Sequence, residues 1–323
     1  MRLPEELLAA IQSEIQGVDT SALARASAQL TRHYKAADFH TPAIAGRAQR
    51  AAYLAVRLPA TYAANVSVFS EVQRLAAGLE IETLLDLGGG PGTALFAAAE
   101  VFPGLRKATV VESDEAWLEL GRNWALQSSR PALQETQWLR HDLSANFDAP
   151  PHDLVVISYA LGELPGAAGQ AALRRAWAFA KKVLVIIEAG TVRGFATVLA
   201  ARDTLIADGA SLLAPCPHHD ACPMAAANDW CHFAQRLERS PLHRRIKGAS
   251  LAYEDEKFSY VVACKQRPPM APSRIVRHPR KHSGHVQLTL CTRQGLETRT
   301  VTRSDRQKYK LARHAEWGGS WEE

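Results

Sequence analysis

The sequence predicts an α/β protein: a doubly wound, largely parallel sheet with a helical segment before it and a small basic extension containing strands after it. Three observations carry this. From Ile81 onward, short runs that are apolar nearly throughout alternate with helical stretches, the pattern of a parallel sheet covered on both faces. Four glycines in "LLDLGGGPGTALF", residues 84–96, lie between the first such run and the first helix, where open α/β sheets bind their ligands. Residues 1–75, by contrast, show only helical spacing, as at Leu7, Ile11 and Ile15.

The elements follow in order. "PEELLAAIQSEIQ", "SALARASAQLTRHYKA" and the stretch from Arg47 to Gly78 predict helices, the last broken or kinked by Pro59. "IETLLDLG" is a strand and "GTALFAAAEVF" a helix; "KATVVES" is a strand and "DEAWLELGRNWALQSS" a helix. "TQWLRHDL" and "HDLVVISYAL" are strands, then "AGQAALRRAWAFA" is a helix, "KKVLVIIEAG" a strand and "GFATVLAARDTLIADG" a helix. After a cysteine-rich stretch, "NDWCHFAQRLERS" has helical spacing, with Asn228 or Asp229 as N-cap. "KFSYVVACKQ" is a strand, and "GHVQLTLCT" with "LETRTVTR" makes a strand pair joined around Gly295. The expected division is a helical region over 1–75, a core over 76–265 interrupted by a cysteine-rich insert over 213–250, and a basic extension over 266–323.

Composition bounds the function. With 47% hydrophobic and 22% charged residues the chain is an ordinary globular protein. Its longest apolar run, "VLVIIEAG", is far too short to span a bilayer. The early acids Glu5 and Glu6 argue against a targeting segment, so a cytoplasmic location and no membrane partner are expected. The net charge of +5 is unevenly spread: residues 1–230 carry 19 Lys and Arg against 24 Asp and Glu, residues 231–323 carry 19 against 9. A basic final third suggests a polyanionic partner, most simply nucleic acid.

The glycine turn is neither a phosphate-binding loop of the G-x-x-x-x-G-K type nor a clean dinucleotide fingerprint. Its context adds meaning. The first strand ends at Asp86, the second at Glu112 about 25 residues on, where a carboxylate can accept both ribose hydroxyls, and Asp142 in "RHDLS" ends the third. This series resembles the class I S-adenosylmethionine-dependent methyltransferases, with a NAD-type domain as the competing reading. The resemblance implies that Gly88, Gly90 and Gly92 line the methionine and ribose end, Glu112 holds the ribose and Asp142 lies beside the adenine. Ser158, Tyr159 and Glu163, in "DLVVISYALGELP", would then project over the methyl donor as candidate catalytic residues. The N/D-P-P-Y/F tetrapeptide that holds base amines in many such enzymes is absent, as is the nucleophilic cysteine of cytosine-C5 enzymes.

Cys216, Cys222 and Cys231 are separated by five and eight residues, which is neither C-x-x-C nor a zinc-ribbon spacing. A helix starting near Asn228 would lower the Cys231 thiol pKa and favour the thiolate that metals need. The fourth ligand comes from Cys264, Cys291, His218, His219 or His232. Cys264 ends an apolar run and suits core packing; Cys291 ends a strand beside a turn and is the preferred choice. On spacing alone, tetrahedral zinc and a [4Fe–4S] cluster stand level.

Together, the glycine turn, the insert "APCPHHDACPM…DWCHFAQR", the string "YEDEKFSYV" and the tail "GHVQLTLCT…KYKLARHAEWGGSW" resemble the mitoribosomal small-subunit methyltransferase-like proteins, and most of all their bacterial branch. The resemblance runs from about Arg57 onward. It implies small-subunit rRNA, or a precursor of the small ribosomal subunit, as partner, and a role in ribosome assembly as a methyltransferase or as an assembly factor without turnover. It also implies a [4Fe–4S] site at Cys216, Cys222, Cys231 and Cys291. The alternatives are a small-molecule or protein methyltransferase with structural zinc, or a purely non-catalytic rRNA-binding factor. Candidate RNA contacts are Arg244, Arg245, Lys247, Arg274, Arg277, Arg280, Lys281, Arg303, Arg306, Lys308 and Lys310. Tyr309, Trp317 and Trp321 are available for base stacking or for packing of the tail.

Overall fold

The structure, a computed structural model, describes residues 1–36, 44, 46–76, 78–266 and 270–322. Residues 267–269, near the start of the basic extension, lie outside the described residues. Three helices open the chain: α1 (Glu5–Ile15), α2 (Thr20–Ala36) and α3 (Arg47–Ala52). A π-helical turn, Tyr53–Arg57, then leads without interruption into α4 (Leu58–Leu75). Pro59 neither breaks nor ends this stretch; it occupies the first turn of α4. Proline has no N–H to donate and crowds the carbonyl four residues back. The preceding turn widens so that the Leu58 N–H bonds the Tyr53 carbonyl.

The doubly wound unit runs β1 (Thr83–Leu87), α5 (Thr93–Val101), β2 (Lys107–Glu112), α6 (Glu115–Gln127), α7 (Pro131–Gln134), β3 (Gln137–Arg140), β4 (His152–Ser158), α8 (Gly166–Phe179), β5 (Ala180–Ala189) and α9 (Val192–Ala207). It continues with β6 (Ser211–Ala214), α10 (Pro223–Ala226), β7 (Phe233–Glu238), α11 (Pro241–Lys247) and β8 (Tyr253–Cys264). The sheet order is β3-β2-β1-β4-β5-β8-β6, with β7 also on β8. The first five are parallel, while β8 runs antiparallel to β5, and β6 and β7 antiparallel to β8. Successive residues of β5 alternate between two cores, Val183, Val185 and Ile187 on one face and Leu184 and Ile186 on the other. That alternation is why these strands are apolar throughout. The chain reverses from β1 toward β2 and from β4 toward β5, so the ends of β1, β2 and β4 open a crevice at this switch point.

One element differs from the sequence reading. Residues 233–238 form β7, not a helix. Phe233 and Leu237 are both buried, and a spacing of four satisfies a period of two as well as a helical one. Pairing of Phe233–Glu238 with Tyr253–Phe258 of β8 decides for the strand. Because β6 and β7 lie along the same edge of β8, the chain between them leaves the sheet at Pro215 and returns at His232. The extension forms a second, four-stranded sheet from β9 (Ser273–Ile275), β10 (Arg280–Lys281), β11 (His285–Thr292) and β12 (Gly295–Thr302), followed by α12 (Arg306–His314).

Candidate functional site

The turn after β1 takes its shape from glycine. Gly88 and Gly90 have φ of +71° and +55°. A Cβ on Gly88 would lie 2.6 Å from Ala160, and one on Gly89 would lie 2.7 Å from the Asp86 carboxylate. The Gly90 N–H donates to Glu112 Oε2 at 2.9 Å, while Glu112 Oε1 accepts from the Ser113 and Asp114 amides. Glu112 is thus fixed by the loop it faces. Asp86, Gly88, Gly90, Glu112 and Asp142 line one cavity of about 940 Å³. Gly92 does not line it. Its φ is +81° and a Cβ there would lie 2.9 Å from the Trp138 ring, so this glycine is needed for the close approach of the helix start to β3.

Asp86 is the most unusual group in this cavity. It is fully buried, and no donor among the described residues stands in good hydrogen-bonding geometry to either carboxylate oxygen, although the Leu95 amide is near enough to oppose part of the rise in its pKa. Burial, and then the charge of Glu112, push its pKa up to about 7. Asp142 lies on the opposite side of the scale: the Ser144 amide bonds its carboxylate at 2.7 Å and lowers its pKa.

Ser158, Tyr159 and Glu163 line the same cavity. Two of them are engaged by the protein. Ser158 Oγ accepts from the side chain of buried Asn65 at 2.9 Å, and the Tyr159 hydroxyl donates to Glu256 Oε1 at 3.1 Å. Tyr159 has a φ of +58°, a strained value for a tyrosine, held by its amide bond to the Ile187 carbonyl. Burial, then the charge of Glu112, raises the Glu163 pKa to about 7. Burial likewise raises Glu188 to about 7, although the Gly162 amide opposes this by donating to it at 2.8 Å. Sequence reasoning missed Glu188, the next-to-last residue of β5, although an acid near a strand's carboxyl end, like Glu112 at the end of β2, was a usable signal. It also missed Tyr53 and Arg57, which reach the cavity from the π-helical turn. No local pattern marks them.

Cys216, Cys222, Cys231 and Cys291 line a second cavity, of about 30 Å³. Cys216 lies two residues after β6 and Cys231 two before β7, so the break in the β8 edge brings them together. Cys291 arrives on β11, opposite Arg274 of β9. The fully buried Arg274 donates to the Pro215 carbonyl at 2.9 Å, to the Gly318 carbonyl at 2.7 Å and to Glu71 at 2.5 Å. Burial raises the Cys216 and Cys231 thiols and pushes Cys291 up to about 12, with the other cysteines adding to the shift in each. The helix start expected to acidify Cys231 is absent: residues 228–232 are irregular and lead into β7. Among the described residues no group of three or more His, Cys, Asp or Glu has metal-holding geometry. Four thiols nonetheless face one small buried space, with the Arg202 guanidinium beside Cys216 and His218 Nε2 3.6 Å from Cys291 Sγ. That donor chemistry suits a thiolate-bound metal group, since a cation offsets the cost of ionising buried thiols. Cys264 is elsewhere, its thiol directed to the Ser211 and Gln266 carbonyls.

The basic residues separate into two sets. Arg274 has no surface to offer a phosphate, and Arg277 is bonded to Asp229 at 2.5 Å and to the Val276 carbonyl at 2.7 Å. Both brace the cysteine loop. Arg280, Lys281, Arg303, Arg306, Lys308 and Lys310 are exposed on the second sheet and α12, and Arg245 and Lys247 are exposed on α11, with Arg244 half-buried. Trp321 is buried and Trp317 packs edge-on against His232 and His278, so both tryptophans serve the tail's packing.

Human ribosome assembly protein METTL17, mitochondrial, is 28% identical over 288 residues, covering 82% of this chain and 61% of that protein. Rsm22-cox11 tandem protein 2, mitochondrial, of Schizosaccharomyces pombe is 26% identical over 320 residues, covering 83% of this chain and 42% of that protein. The chain therefore spans less than two thirds of the length of either relative. Both are named as mitochondrial, which does not match a plain cytoplasmic expectation. Among the described residues no helix is long and apolar enough to cross a membrane. Solved structures similar to this one include magnesium protoporphyrin IX methyltransferase from Synechocystis PCC 6803 with bound SAH, at 11% identity, 77% and 100% coverage and a TM-score of 0.42. Another is precorrin-6y C5,15-methyltransferase from Geobacter metallireducens GS-15, at 16% identity, 62% and 88% coverage and a TM-score of 0.40. The strand order and the glycine turn at its switch point make the fold class I methyltransferase-like. The family of the mitochondrial small ribosomal subunit Rsm22 matches residues 47–322, and the chain belongs to that family.

Proposed function

We propose that this protein binds S-adenosylmethionine in the cavity above the glycine turn and acts on the small ribosomal subunit during its assembly, in contact with rRNA. The observation that carries the donor site is the pairing of Glu112 with the Gly90 amide beside an orphaned, fully buried Asp86. An unpartnered buried carboxylate costs several kcal/mol, and a cavity that keeps one is suited to a cationic ligand. Glu112 Oε1 already accepts three hydrogen bonds, so Oε2, which accepts only from the Gly90 amide, is the oxygen left to take a ribose hydroxyl, and Asp142 stays ionised at the end of the third strand. Gly88 and Gly90 let the backbone approach closely. S-adenosylmethionine, when bound, supplies an electrophilic methyl group. Of the three candidate catalytic residues, Glu163 is the one free to take a proton from an acceptor near neutral pH, because Ser158 and Tyr159 are already hydrogen-bonded to Asn65 and Glu256. That engagement supports an assembly role in which turnover is slow or lost.

The same proposal gives Cys216, Cys222, Cys231 and Cys291 to a [4Fe–4S] cluster, with zinc as the alternative. An all-sulfur donor set fits either group, and the family favours the cluster by the resemblance drawn above. A bound cluster would tie the β6–β7 loop to β11 and fix the basic extension relative to the core. The exposed Arg and Lys of β10 and α12 are the proposed phosphate contacts. Titration of binding to a small-subunit rRNA fragment against salt tests the RNA role: affinity should fall steeply, with a log–log slope of at least about −3. Weak binding with a flat salt response would overturn it.

A further inference from the structure

The donor cavity is more acidic than a donor site requires. Among the described residues eight carboxylates line it, against the three cations Arg57, Arg193 and Lys257. The proposed donor site uses Asp86, Glu112 and Asp142. Three more carboxylates are engaged by the protein itself. Asp114 caps α6 by accepting the Ala116 amide at 2.8 Å, Asp255 holds Arg236 at 2.7 and 3.0 Å, and Glu256 accepts the Tyr159 hydroxyl at 3.1 Å. Glu163 and Glu188 remain.

These two belong to one corner of the cavity. The amide of Gly162, the residue before Glu163, donates to Glu188 Oε1 at 2.8 Å, and a Cβ on Gly162 would lie 3.2 Å from Glu188 Oε2. Glu188 is only 7% exposed. The Leu161 amide lies near enough to act on it, but no donor among the described residues stands in good hydrogen-bonding geometry to Oε2. Neither glutamate forms an ion pair among the described residues. Arg57 lies 5.1 Å over the Tyr34 ring, and Arg193 donates to the Gly162 carbonyl at 3.2 Å, easing the ionisation of both glutamates only in part. Burial leads the rise in the Glu188 pKa, and the charge of Glu163 adds to it. Two carboxylates that face one cavity and oppose each other's ionisation lack a cation between them.

We propose that Glu163 and Glu188 seat the ammonium group of a protein lysine as the methyl acceptor in the donor cavity. A nucleotide would instead bring phosphate charge among the carboxylates, so rRNA is left to the exposed basic residues of β10 and α12. Lysine suits the pair better than arginine, because carboxyls that titrate near neutral pH can relieve an ammonium of a proton but not a guanidinium. The transfer balances within the site. The ammonium gives one proton to a carboxylate, the freed nitrogen lone pair bonds the methyl carbon, and the carbon–sulfur bond leaves its electron pair on sulfur. The acceptor class rests on the donor-cavity reading; the ammonium seat is tested apart from it.

The test titrates the full-length protein with n-butylammonium, which carries the lysine head group, and with n-butanol as its uncharged counterpart. Binding is followed by NMR line broadening of the probe, with and without saturating S-adenosylmethionine. Butylammonium should bind at least about tenfold tighter than butanol, the margin of a charge-assisted hydrogen bond. Glu163→Gln and Glu188→Gln should each lower that affinity at least about fivefold, with S-adenosylmethionine affinity kept within about twofold. The amide oxygen introduced by Glu188→Gln can still accept from Gly162, which separates loss of charge from loss of fold. Equal binding of the two probes by wild type overturns the proposal, whatever the variants do. So does displacement of butylammonium by S-adenosylmethionine, since the pair would then hold the donor's own ammonium. Displacement by a short single-stranded RNA also overturns it and makes a nucleotide the occupant. If wild type binds no S-adenosylmethionine, the donor reading fails, and the two probes compared without it still decide the ammonium seat.

Discussion

Replacing Asp86 with Asn should stabilise the ligand-free protein at alkaline pH while destroying its donor site. Asp86 is fully buried without a donor in good hydrogen-bonding geometry among the described residues, and its pKa rises from 3.8 to about 7. A carboxyl whose folded pKa is raised binds its proton more tightly in the native state than in the unfolded one. Stability is therefore greatest below the unfolded pKa and falls as pH climbs toward the folded pKa. Three pKa units at about 1.4 kcal/mol each give a penalty of about 4 kcal/mol above pH 7, but only about 1.5 kcal/mol at pH 5. Asn carries no charge, so it escapes this pH-dependent part, while its buried amide costs about 1–3 kcal/mol at either pH. Urea unfolding of both proteins at pH 5 and pH 8 isolates the difference, because the amide cost cancels between the two pH values. The variant's stability relative to wild type should improve by about 2.5 kcal/mol on going from pH 5 to pH 8. A relative stability that does not change with pH would refute the reasoning, since Asp86 would then not be held protonated by burial.

Arg274→Ala should cost about 3–5 kcal/mol in urea unfolding, because Glu71 loses a buried partner and two carbonyls lose their donor; the RNA salt slope should not move, in contrast to Arg306→Gln with Lys310→Gln. Gly92→Ala should lower stability by about 1–3 kcal/mol through its φ of +81° and the Trp138 ring 2.9 Å from the new methyl, read as a fall in melting temperature. Anaerobically purified protein should carry about four iron and four sulfide per chain, lost in Cys291→Ser and kept in Cys264→Ser; one zinc and no sulfide would make the loop a structural zinc site instead.

Much of the sheet was legible because its signals are local. The apolar run to Asp86, the glycines and the helix after them are contiguous, and Glu112 closes the next strand. The glycines also show the limit of this reading. Gly88 and Gly90 line the cavity, whereas Gly92 answers to Trp138, about 45 residues later in sequence. A shared motif could not separate ligand approach from helix packing. The β7 strand was misread for the same reason, since its four-residue apolar spacing serves either period and only the distant β8 decides. Arg274 looked like one more candidate RNA contact in the basic extension. Its burial follows from Glu71, Pro215 and Gly318, three partners that no window of sequence contains. Cys216, Cys222, Cys231 and Cys291 line one cavity, and what brings the loop to it is the interrupted β8 edge, not the helix start expected from the sequence.

The central claim is the donor site, and calorimetric titration with S-adenosylmethionine tests it most directly. The account predicts one molecule bound per wild-type chain, and at least about a tenfold loss of affinity in Glu112→Ala, which removes a carboxylate and frees the Gly90 amide. No heat of binding to wild type, or undiminished binding to Glu112→Ala, would contradict it.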